Sequence, residues 1–219
     1  MPSNHIKSTL SAARLGTYET LAGGPPGLEQ TEKALSLYMW NAQISSAFLV
    51  PLHICEVVIR NAISDVLATV YGPEWPWSPG FERSLPKPTK GYRPTDDLIN
   101  ARRNQPTTSK VIPELKFVFW QMMLTGRFDK RLWNNYLVAS FPNASYRTSN
   151  CSQLRQKLYA ELDVIRKLRN RIAHHEPIVS RMLHDDFIII KNLVSSRCTF
   201  TAEWMVNNQT LLPLLTYKP

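Results

Sequence analysis

Cysteine, histidine and glycine are all scarce in this chain of 219 residues, with three, five and eight copies. Cys55, Cys151 and Cys198 are an odd number without a Cys-x-x-Cys spacing. That pattern excludes a disulfide scaffold and a zinc ribbon, and it suits buried thiols in a reducing cytosol. Acidic residues are outnumbered, 17 against 26 Lys and Arg, giving a formal net charge of +9 and pointing to a polyanionic partner. A long apolar run is also missing. Residues 44–59 are interrupted by Ser45, Ser46, Pro51, His53 and Glu56, which reads as too short and too polar for a membrane span. The first ten residues hold no apolar stretch of the kind a secretory signal requires. The expectation is a soluble cytoplasmic protein that does not engage a membrane.

What is present is helical patterning. An apolar fraction of 43% with six tryptophans supports a packed core. Lys7 to Ala22 reads as a helix with Leu10, Ala13, Tyr18 and Leu21 as its stripe, ended by Gly23-Gly24-Pro25-Pro26-Gly27. Glu29 to Tyr71 reads as two helices in series or one helix bent at Pro51. Its predicted apolar faces are Leu35, Tyr38, Met39, Ala42, Ser46 and Leu49, then Ile54, Val57, Val58, Asn61 and Val66. From Gly72 to Pro94, six prolines with Lys87, Lys90 and Arg93 make an irregular basic loop. Its aromatics Trp75, Trp77, Phe81 and Tyr92 either pin the loop to the core or stack on bases.

Helices are predicted again over Asp96–Asn104, Lys110–Leu124 and Asp129–Ala139. Ser149 or Asn150 suits an N-cap for a helix reaching about His174, with Leu154, Leu158, Leu162, Ile165, Leu168 and Ile172 as its apolar stripe. Two further helices are expected over Asp185–Val194 and Thr201–Leu215, with a strand at Ile188-Ile189-Ile190 as the alternative for part of the first. There is no internal repeat. The fold class is all-α, a bundle, read as one domain over residues 1–219 with the irregular loop at 72–95.

The informative stretch is Arg169-Asn170-Arg171-Ile172-Ala173-His174-His175-Glu176-Pro177, at the end of the long charged helix. Histidine exchanges protons near neutrality, and arginine offers a permanently charged fork to phosphate oxygens. Asn170 and His174, four apart, share a helix face, and Arg166 extends it by a turn. Arg169, five before His174, lies well around a regular helix. Either the helix unwinds before Pro177, or the pair meets partners from another segment or subunit. Arg166, Lys167 and Arg171 are candidates for gripping RNA phosphates. The bland alternative has the arginines solvating a helix face while His174 and His175 cap its last carbonyls. A metal site from His174, His175 and Glu176 is disfavoured, because adjacent histidines seldom ligate one ion and no second ligand cluster is visible.

Arg169-Asn170-x-x-x-His174 resembles the Arg-polar-x-x-x-His signature of the HEPN ribonuclease superfamily. Four ordered stretches are similar to its Abi-like, abortive-infection family: residues 11–18, 52–62, 114–120 and 168–178. The family often has glycine where Val118 stands in the Phe-x-Phe-Trp segment, a departure in what reads as core. The resemblance implies an all-α HEPN bundle, here with extra N- and C-terminal helices, commonly dimeric, with a cofactor-free and metal-independent ribonuclease site at the dimer cleft. By position it implies Arg169 and His174 as the catalytic pair and Asn170 between them. Glu56, Arg60 and Asn61 match a second polar stretch, in a supporting role or as a purely structural i, i+4 ion pair. His175 cannot be separated from His174 on chemistry alone. The expected function is an endoribonuclease of phage defence or a toxin, held by an RNA or protein antitoxin. The competing reading is a non-catalytic RNA-binding or antitoxin-binding module, and a further one is an interaction subunit using the last two helices.

Overall fold

A computed structural model describes residues 2–144 and 150–219, and no strand occurs among the described residues. Helix α1 spans Pro2–Leu10 and α2 spans Ala12–Ala22. The single helix expected over Lys7–Ala22 is therefore two. Ser11 between them takes a positive φ of 73° and turns its side chain back to accept from the Arg14 amide, starting a new helix. The break re-aims the stripe: Leu15 and Tyr18 are the buried residues of α2, while Leu21 is exposed.

Helix α3 runs unbroken through Leu28–Tyr71, 44 residues with Pro51 inside it. At a rise of about 1.5 Å per residue it is about 66 Å long. Helices α1 and α2 and most of the later elements pack on it. Its first apolar face is not the predicted one. Ala34, Leu37, Trp40, Ile44, Ala47 and Phe48 go into the core, whereas Met39, Ala42, Ser46 and Leu49 look outward. Farther along, Leu52, Cys55, Ile59, Ile63, Val66 and Leu67 are buried, and Val57 and Asn61 are exposed. Apolar residues ring this helix, so their spacing alone does not select a face. By length and composition α3 is also apolar enough to cross a membrane. Residues 44–59 lie inside this helix, which persists through Pro51, and a core helix of a soluble protein meets the same criterion. The same helix carries much of the buried core.

The stretch after Gly72 is only partly irregular. It holds a 3₁₀ turn at Trp75–Trp77 and helix α4, Pro79–Ser84, capped by the Ser78 hydroxyl. Trp75 and Phe81 are completely buried and pack edge-to-face at 5.3 Å between ring centres, which removes them as stacking platforms. Tyr92 donates its hydroxyl to Asp97 at 2.6 Å. Helix α5 is Pro94–Arg102, α6 is Thr108–Glu114 and α7 is Phe117–Met123. The expected helix Lys110–Leu124 is thus broken at Leu115 and Lys116, both extended, just after Pro113 removes a helical donor. The Lys116 amide instead donates to Asp97. A π turn at Asp129–Trp133 leads into α8, Asn134–Ser140.

Helix α9, Cys151–Ala173, matches its prediction closely: all six residues of the expected stripe are buried. Ser149 lies outside the described residues; Asn150 is the N-cap, in a reciprocal capping box with Gln153. Arg155, though charged, is buried, ion-paired with Asp129 and donating to the Leu124 carbonyl. Helix α10, Leu183–Arg197, absorbs Ile188-Ile189-Ile190. The last expected helix is split into α11, Thr199–Asn207, and α12, Leu211–Leu215. Asn150→Ala removes the capping box and is expected to lower unfolding free energy by about 1 kcal/mol, with Asn150→Ser largely restoring it, as read from urea denaturation midpoints.

Candidate functional site

The nonapeptide ends α9 in a defined way. Ala173 is the last helical residue, His174 is the C-cap, and His175 takes a left-handed φ of 55°. The His175 amide donates to Ile172 O at 3.0 Å and the Glu176 amide to Arg171 O at 2.8 Å. This is the Schellman arrangement, in which glycine usually holds the left-handed position. Arg171 donates through Nε to Pro177 O at 3.0 Å and closes the turn from outside. From α2, Arg14 donates to His175 O at 3.1 Å, bringing a cation to the negative end of the helix dipole. From α3, Asn41 accepts the Ile178 amide at 2.8 Å in the buried interior.

These ties create a groove of about 680 Å³ between α2, α3 and the exit of α9. Arg14 and Tyr18 contribute from α2; Tyr38, Asn41, His53 and Glu56 from α3; and Arg169 and His175 from the nonapeptide. Much of the remaining wall is apolar, including Leu49, Leu52 and Ile172. Glu56 is the electrostatic hinge. It pairs with Arg60 one turn away on α3, and its other oxygen lies 3.9 Å from Arg169 Nε on α9. Burial, and then the nearby Arg169 charge, push the Arg60 guanidinium below its usual range. One carboxylate thus holds two arginines that would otherwise repel.

Three of the four stretches singled out in the sequence supply this groove: 11–18 through Arg14 and Tyr18, 52–62 through Leu52, His53 and Glu56, and 168–178 through Arg169, Ile172 and His175. The fourth, 114–120, is core, with Trp120 fully buried. His174 and Asn170 do not line the groove. His174 is exposed at the helix end, its amide donating to Asn170 O at 2.9 Å. Asn61 is exposed on α3 outside the groove. The cations read as RNA-gripping have intramolecular partners: Arg166 bonds Gln121 and Asp163, Lys167 bonds Asp163, and Arg171 binds the turn. Lys167 and Arg166, with a hydrogen bond from Gln121, hold the Asp163 carboxyl well below the usual range. Sequence reasoning passed over Arg14, Tyr18, Asn41 and His53 as site residues. Arg14, Tyr18 and His53 lie inside the quoted stretches, whereas nothing local marks Asn41.

Among the described residues, no three His, Cys, Asp or Glu side chains gather as metal ligands. Compared with protein-family models, curated proteins and solved structures, the chain has no match.

The left-handed His175 yields a direct test. His175→Gly relieves the strained backbone and is expected to stabilise the fold by about 1 kcal/mol, seen as a raised thermal midpoint, while removing an imidazole from the groove. A second test concerns Glu161 on α9, whose carboxyl is raised by burial, with Lys157 opposing. A raised folded-state pKa means stability is greatest below the unfolded value and is lost as pH rises through the folded one. Glu161→Gln is therefore expected to be at least as stable as the parent at pH 7. That advantage should shrink on acidification towards pH ~4, in denaturation measured across the range.

Proposed function

We propose that the groove at the exit of α9 is the substrate site of a metal-independent endoribonuclease of the HEPN type, acting in phage defence or as a toxin. The observation that carries this reading is the convergence of three separated stretches, each part of the Abi-like resemblance, on one groove holding Arg14, Arg169 and histidines. Two arginines at its edge suit a phosphodiester, and arginine binds phosphate oxygens through a planar fork. Glu56 fixes the direction of Arg169 without fully consuming it, since the Arg169 side chain keeps 46% of its surface exposed.

In this reading Arg169 binds the scissile phosphate and stabilises the charge that builds on its oxygens. The 2′-oxygen attacks phosphorus as its proton passes to a base, the bond to the 5′-oxygen breaks, and that oxygen takes up a proton. The products are a 2′,3′-cyclic phosphate and a free 5′-hydroxyl. His174 is the proposed proton carrier and Asn170 orients the pair. His174 stands exposed at the helix end, which suits completion of the site by a second copy. Exposed Met39, Leu49, Val50 and Val57 on α3 favour such pairing. His175, which does line the groove, is the alternative carrier within one copy.

Purified protein incubated with total bacterial RNA and EDTA is expected to release fragments with cyclic-phosphate ends. Arg169→Ala and His174→Ala should each slow cleavage on the order of a hundredfold or more. If His175→Ala is the damaging change instead, the proton carrier is reassigned. If neither parent nor variants cut, yet all retain RNA in a salt-dependent manner, the non-catalytic RNA-binding module replaces the enzyme.

A further inference from the structure

Two polar groups that line the groove have no hydrogen-bond partner among the described residues. Asn41 is 6% exposed, and because only its carbonyl oxygen can accept the Ile178 amide, its amino group Nδ2 is turned the other way. That amino group has no hydrogen-bond partner among the described residues, although Asn41 lines the groove. Tyr18 is 1% exposed and also lines the groove, and its hydroxyl has no partner among the described residues either. Its ring is held edge-on against Tyr38 at 5.1 Å, so the hydroxyl is fixed in direction. Neither atom is sealed from solvent, so both donors can pass from water to the acceptors of a ligand seated in the groove.

The rest of the groove defines that ligand. The wall beside the donors is apolar, through Leu52 and Ile172, and takes a flat, weakly hydrated body. Arg14 and Arg169 stand in the same groove and favour an anionic group on that body, Glu56 balancing only part of their charge. A planar heterocycle with ring acceptors, joined to a phosphate, is a nucleotide.

We propose that this groove is a base-recognition subsite, seating one nucleotide of the RNA beside the scissile phosphate and preferring a base with a carbonyl oxygen. Asn41 Nδ2 and the Tyr18 hydroxyl donate to that base, while Arg14 and Arg169 take its phosphate. Uracil is the smallest base of this kind. Adenine accepts only through ring nitrogens with one lone pair each, N1 and N7 lying beside an amino donor, so it meets the two donors less well than a carbonyl oxygen with two lone pairs. The proposal rests on the ribonuclease reading for its substrate but not on which histidine moves the proton.

The test is calorimetric titration of the purified full chain with uridine 3′-monophosphate, adenosine 3′-monophosphate and inorganic phosphate. The uridine nucleotide is expected to bind about tenfold more tightly than either other probe. Tyr18→Phe, which keeps the ring packing, should weaken it about threefold to tenfold and leave phosphate binding unchanged. Asn41→Asp keeps the acceptor for Ile178 but replaces the donor, and should erase or reverse the preference over adenosine. Equal affinity for all three probes overturns the subsite, as does a uridine affinity untouched by either variant. RNA cleavage in the same preparations judges the enzyme separately. Cleavage without base-selective binding removes the subsite and leaves the ribonuclease. Base-selective binding without cleavage keeps the subsite and removes the enzyme.

Discussion

The architecture depends on α3 remaining one helix from Leu28 to Tyr71. Pro51 removes a main-chain donor and crowds the preceding turn, a cost of about 3 kcal/mol in an exposed helix interior. Here it is buried, and the helix on both sides of it contributes to the same core. Packing on that scale holds the helix together where local propensity would divide it. Because α3 is continuous, Asn41 and Glu56 are fixed on a single rod. The other two helices that line the groove, α2 and α9, both pack on this rod. Asn41 secures the chain leaving α9, and Glu56 secures Arg169 within α9.

Around that rod the exit of α9 is held from three sides. The Asn41 carboxamide takes the Ile178 amide, Arg14 takes the His175 carbonyl, and Arg171 takes the Pro177 carbonyl. Each partner satisfies a main-chain group of the segment that leaves the helix. The turn is consequently well determined even though it carries histidine in a backbone conformation that favours glycine. Strain of this kind persists only where surrounding contacts over-determine it, and here it directs an imidazole towards the groove.

Legibility in the sequence varied with how one-sided each helix is. The stripe of α9 stands out because charged residues occupy its other faces, and all six predicted core positions are buried. On α3 the apolar residues go round the helix, so periodicity chose Met39, Ala42 and Leu49, which face out. The breaks at Ser11 and at Leu115–Lys116 escaped because each depends on one local backbone choice rather than on a composition shift. Of the site, Arg169, His175 and Glu56 were visible as residues in quoted stretches. Their meeting was not, since it needs the tertiary path of α3. Asn41 carried no local signal at all: its role comes from an amide far along the chain, at Ile178.

A rigid rod is also a ruler. Asn41, His53 and Glu56 open on the same groove because of the number of residues between them, at about 100° of rotation per residue. Inserting or deleting one residue there would swing Glu56 about a quarter-turn away from Arg169 while leaving Asn41 on Ile178. Outward-facing side chains along this interval, such as Gln43 and Val50, can vary in size and polarity, but its length is fixed by geometry. A change of length is tolerated only in the connections between helices, where the chain can absorb an extra residue without rotating one half of the groove against the other.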